Sequence, residues 1–256
     1  MANIVVDILN DESPEVSKEL SISRLVGIPK PEKSGVRPIG IGEPLLKIAA
    51  ATALKKCGSE IDEHFGDKQF VLRDGGAEEI IHTIRKALRE GKVVSALDSA
   101  NAFNTIERSA IAQALLDLPA ASPLYGVFNS MYNRTSRLRV FTESGFTDVL
   151  SQRGVRQGDP LGSVLYALGT FSVLTAAAAR HPDCKIIALR TTFSSSPRTP
   201  PAHSDTERQS HKNFSCEAFR LTETKPRRSV ATAAVMLMAL LFLAPGAVDL
   251  VPRNLS

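Results

Sequence analysis

Residues 94–108 read VSALDSANAFNTIER, and the interpretation of the whole chain depends on this stretch. Residues 93–97 are mostly apolar and predict a short strand that ends at Asp98. An aspartate at the end of an apolar strand is held rigidly, so its carboxylate can meet a cation and a phosphate. The alternative is that Asp98 only caps the following turn or helix, as aspartate often does. On this stretch alone, the capping role is favoured.

Upstream, residues 24–42 read RLVGIPKPEKSGVRPIGIG and predict a β-hairpin. The prolines exclude a helix, and two short strands joined by a turn at residues 32–35 fit the pattern. The strands would bring Lys30, Lys33 and Arg37 to one end of the hairpin. Such a cationic end suits a polyphosphate, because lysine and arginine side chains can neutralise several oxygens at once. A solvated hairpin with ordinary surface charges is the alternative.

Downstream, residues 153–168 read RGVRQGDPLGSVLYAL, in which glycines surround Gln157 and Asp159. Glycine lets the backbone approach a ligand closely or adopt a positive φ. With an amide side chain and two arginines beside it, this loop could hold a nucleotide and its paired strand. Asp159 and Pro160 are predicted to cap and begin the buried helix that follows. The alternative is an ordinary glycine-rich entry to a helix.

The rest of the chain predicts a mixture of helices and strands. Helices are expected at residues 43–57, 77–90, 109–118 and 122–133, and strands at 138–142, 146–151 and 184–189. The second helix should bury one apolar face that contains Ile80, Ile81, Ile84 and Leu88. The strands on either side of residues 143–145 are typical of a β-hairpin.

The composition is that of a globular protein, with 43% hydrophobic and 23% charged residues among 256. Residues 1–189 carry 22 Lys and Arg against 22 Asp and Glu, so the formal net charge of +4 lies entirely in the later residues. Total charge therefore gives no support to nucleic-acid binding, which would have to come from local clusters. The three cysteines have neither metal-ligand nor disulfide spacing, which favours a reducing, intracellular compartment.

Three of these stretches, in this order, resemble the reverse transcriptase domain of non-long-terminal-repeat retrotransposons. They are RLVGIPKPEKSGVRPIGIG, ALDSANAFNTIER and RQGDPLGSVLYAL, and the intervening GGAEEIIHTIRKAL is also similar. The resemblance covers residues 21–187 of the sequence. It implies an α+β fold, namely a partial right-hand polymerase with fingers and a ferredoxin-like palm sheet.

The resemblance also implies an activity and a cofactor. Members of this family are RNA-directed DNA polymerases, which transfer nucleotides with the help of two divalent metal ions. Asp98 would be a catalytic carboxylate that binds Mg²⁺ or Mn²⁺. The implied partners are an RNA template, a DNA primer and deoxynucleoside triphosphates, and the expected location is the nucleus.

Further residues take nucleotide-binding roles by the same resemblance. Lys30 and Arg37 would contact the triphosphate of the incoming nucleotide. Phe103 would lie against its sugar and exclude a 2′-hydroxyl. Gln157 and Gly158 would line the pocket for the nucleotide and the template strand. These roles follow from the family and not from the spacing of the residues.

One motif of the family is missing. Reverse transcriptases supply further metal-binding carboxylates from an aromatic-x-Asp-Asp hairpin, which belongs near the strand predicted at residues 184–189. Here residues 190–193 read RTTF, and no two aspartates are adjacent anywhere in the sequence. A single carboxylate cannot hold two divalent cations. We therefore expect impaired metal binding and no polymerase activity, and the alternative function is a non-catalytic, nucleic-acid-binding remnant.

The composition changes at the same point. Residues 190–229 contain 17 Ser, Thr or Pro among 40 and are predicted to be a disordered tail. Codons for LRTTF, residues 189–193, can read Ala-Asp-Asp-Ile in another frame. A frameshift before the Asp-Asp motif would explain both the lost motif and an absent thumb, so we expect the chain to be a truncated product.

The expected organisation is a lead-in at residues 1–20, a partial reverse transcriptase domain of fingers and palm at residues 21–189, the tail at residues 190–229 and an apolar segment at residues 230–248. Residues 230–244 are uncharged, but these 15 residues are short for a membrane span, which needs about 20. A weak membrane helix is one interpretation of this segment, and accidental hydrophobicity from a shifted frame is favoured. Nothing in the sequence indicates an oligomer.

Overall fold

The computed structural model describes residues 2–10, 12–30, 35–97, 99, 101–189 and, as backbone, 239–243. Its helices are α1 (Ala2–Asn10), α2 (Pro14–Leu20), α3 (Pro44–Phe65), α4 (Gly76–Arg89), α5 (Ala102–Thr105), α6 (Arg108–Asp117), α7 (Ser122–Tyr132) and α8 (Gly162–Arg180), with a 3-10 turn at Pro119–Ala121. Its strands are β1 (Ser23–Pro29), β2 (Val36–Ile41), β3 (Val93–Ala96), β4 (Ser136–Thr142), β5 (Gly145–Ser151), β6 (Lys185–Ala188) and β7 (Ala239–Leu243). This mixture of helices and sheets confirms the predicted α+β class.

Several predictions fall outside the described residues. They concern Asp98, Lys33, most of the turn at residues 32–35, the tail at residues 190–229 and most of the apolar segment at residues 230–248.

The first sheet confirms both predicted hairpins, and its strand order is β2-β1-β4-β5. β1 and β2 are antiparallel, with Ile28 opposite Arg37, and β4 and β5 are antiparallel, with Phe141 opposite Phe146. β1 and β4 run parallel and join the two hairpins. Strand β2, which contains Pro38, lies at the edge of this sheet, where a missing N–H is best tolerated.

The second sheet has the order β3-β7-β6. Its central strand, β7, is antiparallel to both neighbours, so that Leu241 lies opposite Ser95 on one side and Ile186 on the other. Within residues 230–248, where a membrane helix was one interpretation, the described part is therefore a strand. The backbone next to Gln69 continues the sheet beyond β6 through a bridge to Ala188.

Helices α1, α3, α7 and α8 contribute to one hydrophobic core, in which Leu46, Leu124 and Leu165 are fully buried. The structure corrects the predicted lead-in, because α1 buries Ile8 in this core. A Cβ added at Gly126 of α7 would lie 1.8 Å from the carbonyl oxygen of Leu9. Glycine at this position therefore lets α1 pack directly on α7.

Two helices differ from their predictions. α3 continues to Phe65 instead of ending near Gly58, because its buried face extends through Ile61 and Phe65. α4 matches its predicted bounds within one residue, but Ile81 and Leu88 are exposed and Ile80 is buried. The apolar residues of α4 thus cover a wider arc of the helix than the face that it buries.

Among the described residues, α8 is long and apolar enough by length and mean hydropathy to cross a bilayer. Its buried residues include Val164, Leu165 and Leu174, which lie within the hydrophobic core clusters of the domain. The core helix of a globular domain satisfies the same criterion, and the packing of α8 identifies it as such a helix.

Candidate functional site

The loop before α8 is joined by backbone hydrogen bonds to the stretch that contains Phe103. The N–H of Val155 donates to the carbonyl oxygen of Phe103 at 2.7 Å, and that of Gly154 donates to Ile106 at 3.0 Å. Gly154 has a φ of 72°, and a Cβ there would lie 2.4 Å from the Phe103 carbonyl oxygen. Only glycine combines this conformation with this approach. Two stretches singled out in the sequence are therefore in direct contact.

The same loop is also joined to the first hairpin. The N–H of Gly40 donates to the carbonyl oxygen of Gln157 at 2.8 Å, and Ile39 and Gln157 form a parallel bridge. Gly158 has a φ of 99°, and an added Cβ would lie 3.0 Å from the Gly40 carbonyl oxygen. The structure thus places the predicted residues Gln157 and Gly158 beside β2.

Arg156 ties this loop to the interior of the first sheet. Its guanidinium donates to the hydroxyl of Ser23 at 2.8 Å and also to the hydroxyl of Ser136, on β1 and β4 respectively. The residue is only 6% exposed. A buried cation is costly unless its donors are satisfied, and here neutral hydroxyls accept from its terminal nitrogens while Nε has no hydrogen-bond partner among the described residues. Sequence reasoning placed this arginine beside Gln157 and among the arginines of residues 134–156 that could grip nucleic acid, and it did not predict burial.

A buried tyrosine, Tyr132, and the carboxylate of Asp159 form hydrogen bonds to each other and to the backbone of this loop. The hydroxyl of Tyr132 donates to Asp159 Oδ2 and accepts from the backbone N–H of Arg156 at 3.1 Å. Asp159 Oδ1 accepts from the N–H of Leu161 at 3.0 Å, just before α8 begins at Gly162. Asp159 therefore binds the helix entry from within the preceding loop.

Burial changes the pKa values of Asp159 and Tyr132. Loss of solvent raises the pKa of Asp159, although hydrogen bonds from Tyr132 and Leu161 and the Arg156 charge act in the opposite direction. Burial also raises the pKa of Tyr132 well above its ordinary value. Both oxygens of Asp159 accept hydrogen bonds, one from Tyr132 of α7 and one from the N–H of Leu161, so this carboxylate has a structural role.

Arg108 is a second arginine that sequence reasoning missed. Its guanidinium donates to the carbonyl oxygens of Gly154 at 2.9 Å, Tyr132 at 3.1 Å and Ser151 at 3.1 Å. Burial lowers the pKa of Arg108. The acceptors lie in two segments, Tyr132 at 24 residues and Ser151 with Gly154 at 43 and 46 residues from Arg108, and no local pattern around residue 108 indicates them.

The remaining predicted residues have different surroundings. Phe103 is buried, and its ring centroid lies 5.4 Å from that of Tyr166 on α8. The N–H of Lys30 donates to the carbonyl oxygen of Gly35 at 3.1 Å, which closes the end of the hairpin. Arg37 is exposed on β2. No described residue forms an ion pair with Lys30 or Arg37.

Few of the described side chains could serve as ligands for the implied metal ions. Within the described ranges, no group of three or more His, Cys, Asp or Glu side chains could hold a metal ion. Asp159, the carboxylate of the loop, already accepts from Tyr132 and Leu161. The described side chains therefore do not fit a pair of Mg²⁺ ions.

Comparison with known proteins agrees with this arrangement. The family model described as reverse transcriptase (RNA-dependent DNA polymerase) matches residues 28–189. The chain is 31% identical over 190 residues to the 132 kDa protein of the retrotransposable element SLACS of Trypanosoma brucei gambiense, which aligns 73% of this chain and 16% of that protein. It is 29% identical over 141 residues to the Pol polyprotein from the type-1 retrotransposable element R2 of Popillia japonica, with 52% of this chain and 20% of that protein aligned.

Among solved structures, that of apo telomerase from Candida tropicalis is similar, with a TM-score of 0.50, 10% identity and coverage of 81% of this chain and 43% of that chain. At this identity the likeness shows the fold alone. The chain spans a fifth or less of the two retrotransposon proteins to which it aligns. The family match covers well over half of the sequence, in the same stretches that form the connected loop and hairpin. The chain therefore belongs to the reverse transcriptase family, as a domain of the type found in non-long-terminal-repeat retrotransposons.

Proposed function

We propose that this chain binds an RNA template, a DNA primer and a nucleoside triphosphate as a reverse transcriptase does, but does not complete nucleotide transfer. The observation that carries the proposal is the connection of the loop at residues 153–158 to both the hairpin and Phe103. Backbone hydrogen bonds of 2.7–3.0 Å hold these parts together. A nucleotide pocket needs such a preformed frame, because positioning supplies much of the catalysis in phosphoryl transfer.

The cations of the hairpin support triphosphate binding. Lys30 and Arg37 belong to the hairpin whose strand β2 bonds to Gln157. Neither has an acidic partner among the described residues, so both charges are available to phosphate oxygens. Phosphate contacts of this kind make binding strongly dependent on salt, because each neutralised phosphate releases counterions.

The proposed inactivity rests on the ligands for metal. Transfer by two divalent metals requires several carboxylates to fix the ions. The sequence offers Asp98 after β3 but no adjacent pair of aspartates. Asp159 accepts hydrogen bonds from Tyr132 and Leu161 and so supports the loop instead. The chain accordingly keeps the binding surfaces of the family and lacks a complete set of metal ligands.

Primer extension tests the catalytic half of the proposal. An RNA template with an annealed DNA primer is incubated with the full-length chain, deoxynucleoside triphosphates and either Mg²⁺ or Mn²⁺. We expect no extended primer with either metal. Extension that is abolished by Asp98→Ala would overturn the proposed inactivity and establish the active polymerase.

Hybrid binding tests the other half. Affinity for an RNA/DNA hybrid, measured by anisotropy at several salt concentrations, should weaken steeply with salt. The alternative, nucleic-acid-binding function also assigns Lys30 and Arg37 to the phosphates of the hybrid, and under it Lys30→Ala and Arg37→Ala should each lower the salt slope by about 1. Lys55→Ala, at an exposed lysine on α3, serves as the matched control and should leave the slope unchanged. Absence of binding at low salt would reject the proposal.

We also propose that a frameshift separates residues 189–193 from an Asp-Asp motif, although residues 190–193 lie outside the described part of the chain. Sequencing the locus provides the test. We expect an alternative frame that encodes Asp-Asp followed by thumb-like sequence, and its absence would reject the frameshift.

A further inference from the structure

Two phenylalanine rings are exposed near the tip of the β4–β5 hairpin. Phe141 and Phe146 are 57% and 56% exposed, and their ring centroids lie 6.3 Å apart. They are directly opposite each other in the antiparallel register, so both rings project from the same face of the sheet. Large apolar rings that stay together in solvent commonly mark a contact surface.

Arginines accompany both rings. The guanidinium of Arg24 lies 5.5 Å from the centroid of the Phe141 ring, and that of Arg139 lies 3.9 Å from the centroid of the Phe146 ring. Arg24 and Arg139 are partners in the β1–β4 register and therefore share the face of the rings. We refer to Arg24, Arg139, Phe141 and Phe146 as the hairpin platform.

Part of the charge on this face is already neutralised. Arg139 forms a two-pronged ion pair with Asp148, at 2.9 and 3.0 Å, which fixes its guanidinium beside Phe146. Arg137 lies 3.3 Å from Glu19. These two pairs have no net charge, and Glu143 adds one negative charge in the turn of the hairpin.

The remaining cations make the face basic. Strand alternation places Arg24, Lys30 and Arg37 on one face of the first sheet, since Ile28 pairs with Arg37 and lies two residues from Lys30. None of these three cations has an ion-pair partner among the described residues. Among the described charges of this face, Arg24, Lys30 and Arg37 therefore outnumber Glu143, and Val26 and Ile28 lie between Arg24 and Lys30 along the strand.

We propose that the hairpin platform binds unpaired bases of single-stranded nucleic acid, which stack on Phe141 and Phe146 while Arg24 contacts the backbone phosphate. Every base has an aromatic face, so such a platform accepts any sequence. Arginine planes also stack on bases, which gives Arg139 a role beside its ring. Positive charge next to exposed aromatic rings suits a polyanion with bases. The inference rests on the proposed binding of a template.

The test compares two ligands of the full-length chain by fluorescence anisotropy at constant salt. One is a blunt RNA/DNA hybrid, and the other is the same hybrid with about ten unpaired RNA nucleotides at one end, a length within typical single-strand site sizes. The extended hybrid should bind more tightly. Phe141→Ala and Phe146→Ala should each weaken its binding by about 5- to 150-fold and leave the blunt hybrid unaffected.

Three further variants control for the nature of the contact. Phe141→Tyr keeps the ring and should retain binding of the extended hybrid. Phe141→Leu keeps apolar volume without a ring, and it should lose affinity for the extended hybrid as the alanine variant does. It therefore tests base stacking even if the alanine variant folds poorly. Leu150→Ala removes an apolar side chain that is 59% exposed on the same face, opposite Arg137, and should have no effect.

The outcomes separate this inference from the proposed function. Equal affinity of the wild-type chain for both hybrids would overturn the platform and leave hybrid binding intact. Failure to bind either hybrid would reject both. An equal loss in Leu150→Ala would show a general apolar surface and overturn base stacking. A dimer in sedimentation that Phe141→Ala dissociates, with unchanged nucleic-acid binding, would assign the rings to self-association and also overturn the platform.

Discussion

The two sheets of this molecule are held together in different ways. In the first sheet, β2-β1-β4-β5, buried side chains join the strands to the loop before α8, and the Arg156 guanidinium reaches both Ser23 and Ser136. In the second, β3-β7-β6, the central strand comes from residues 239–243, and Val94 of β3 and Ile187 of β6 lie in one apolar cluster with Ile80 of α4. All strands of the first sheet lie within residues 23–151, whereas the second takes its central strand from a distant part of the chain.

This difference divides the candidate site. The first hairpin and the loop before α8 contain four of the predicted residues, namely Lys30, Arg37, Gln157 and Gly158. The strands that support them lie in or near the family motifs. Asp98 follows β3 in the sequence, and β3 pairs with β7. The residues expected to contact the nucleotide therefore have support of their own, while β3, the strand before Asp98, pairs with a segment far along the chain.

The largest effect is expected where the loop approaches Phe103. Gly154→Ala places a Cβ 2.4 Å from a carbonyl oxygen at a φ of 72°, and we expect a loss of about 3–5 kcal/mol in the free energy of unfolding. Gly91→Ala is the matched control, since Gly91 has the same φ of 72° but nothing within 4 Å. It should lose only about 1–2 kcal/mol. Similar losses in denaturant titrations of both variants would contradict the close approach.

The second sheet is tested through its central strand. Leu241→Pro removes an N–H from β7, and we expect β3 and β6 to lose about 3 kcal/mol of local stability, which is the usual cost of proline inside regular structure. Hydrogen exchange should accelerate at residues 93–96 and 185–188. Residues 136–151 should keep their protection, since their partners lie in the first sheet. Unchanged exchange at β3 would show that the strand does not need β7.

The buried arginine of the first sheet should matter more than an exposed one. Arg156→Met leaves the Ser23 and Ser136 hydroxyls without their charged donor, and we expect a loss of about 2–3 kcal/mol in the free energy of unfolding. Arg137→Met, which breaks half-exposed pairs with Glu19 and Asp148, should lose less than about 1 kcal/mol. Equal losses in urea titrations would mean that burial of Arg156 is not what joins sheet and loop.

The smallest effect is a dependence on pH. Because the pKa of Asp159 is raised in the folded chain, the folded state holds its proton more tightly than the unfolded state. Stability from this group is thus present below the ordinary aspartate pKa and is lost as pH rises through the folded value. Asp159→Asn removes that loss, so the variant should gain stability relative to the wild type as pH rises from about 4 to 7.

Asp148 provides a control of opposite sign for this prediction. A hydrogen bond from Arg139 lowers the pKa of Asp148, so its contribution grows with rising pH. The stability of Asp148→Asn should therefore lie below that of the wild type above the ordinary aspartate pKa of about 4, and the difference should shrink as pH falls below that value. Urea titrations from about pH 2 to 7 measure the trends of both variants, and a difference for Asp148→Asn that grows as pH falls would contradict the assigned pKa direction.

Much of the fold was predictable because it is encoded locally. The hairpins around residues 32–35 and 143–145 follow from alternation of apolar and polar residues together with turn residues, and the structure has both pairs of strands. The end of α3 was not predictable in this way. Gly58 suggested an end, but packing of Ile61 and Phe65 in the core carries the helix to residue 65. Tertiary burial outweighs the local cost of one glycine in a helix.

The sequence by itself determined the family, the order of its motifs and the identity of the residues expected to meet a nucleotide, because these are properties of short contiguous stretches. Only the tertiary structure decided that Arg108 and Arg156 hold the loop and that β7 separates β3 from β6. Arg156 and Ser23 lie 133 residues apart. No local sequence pattern predicts such a partner, because the N–H donors of a buried cation bond to whichever acceptors the folded chain brings near them.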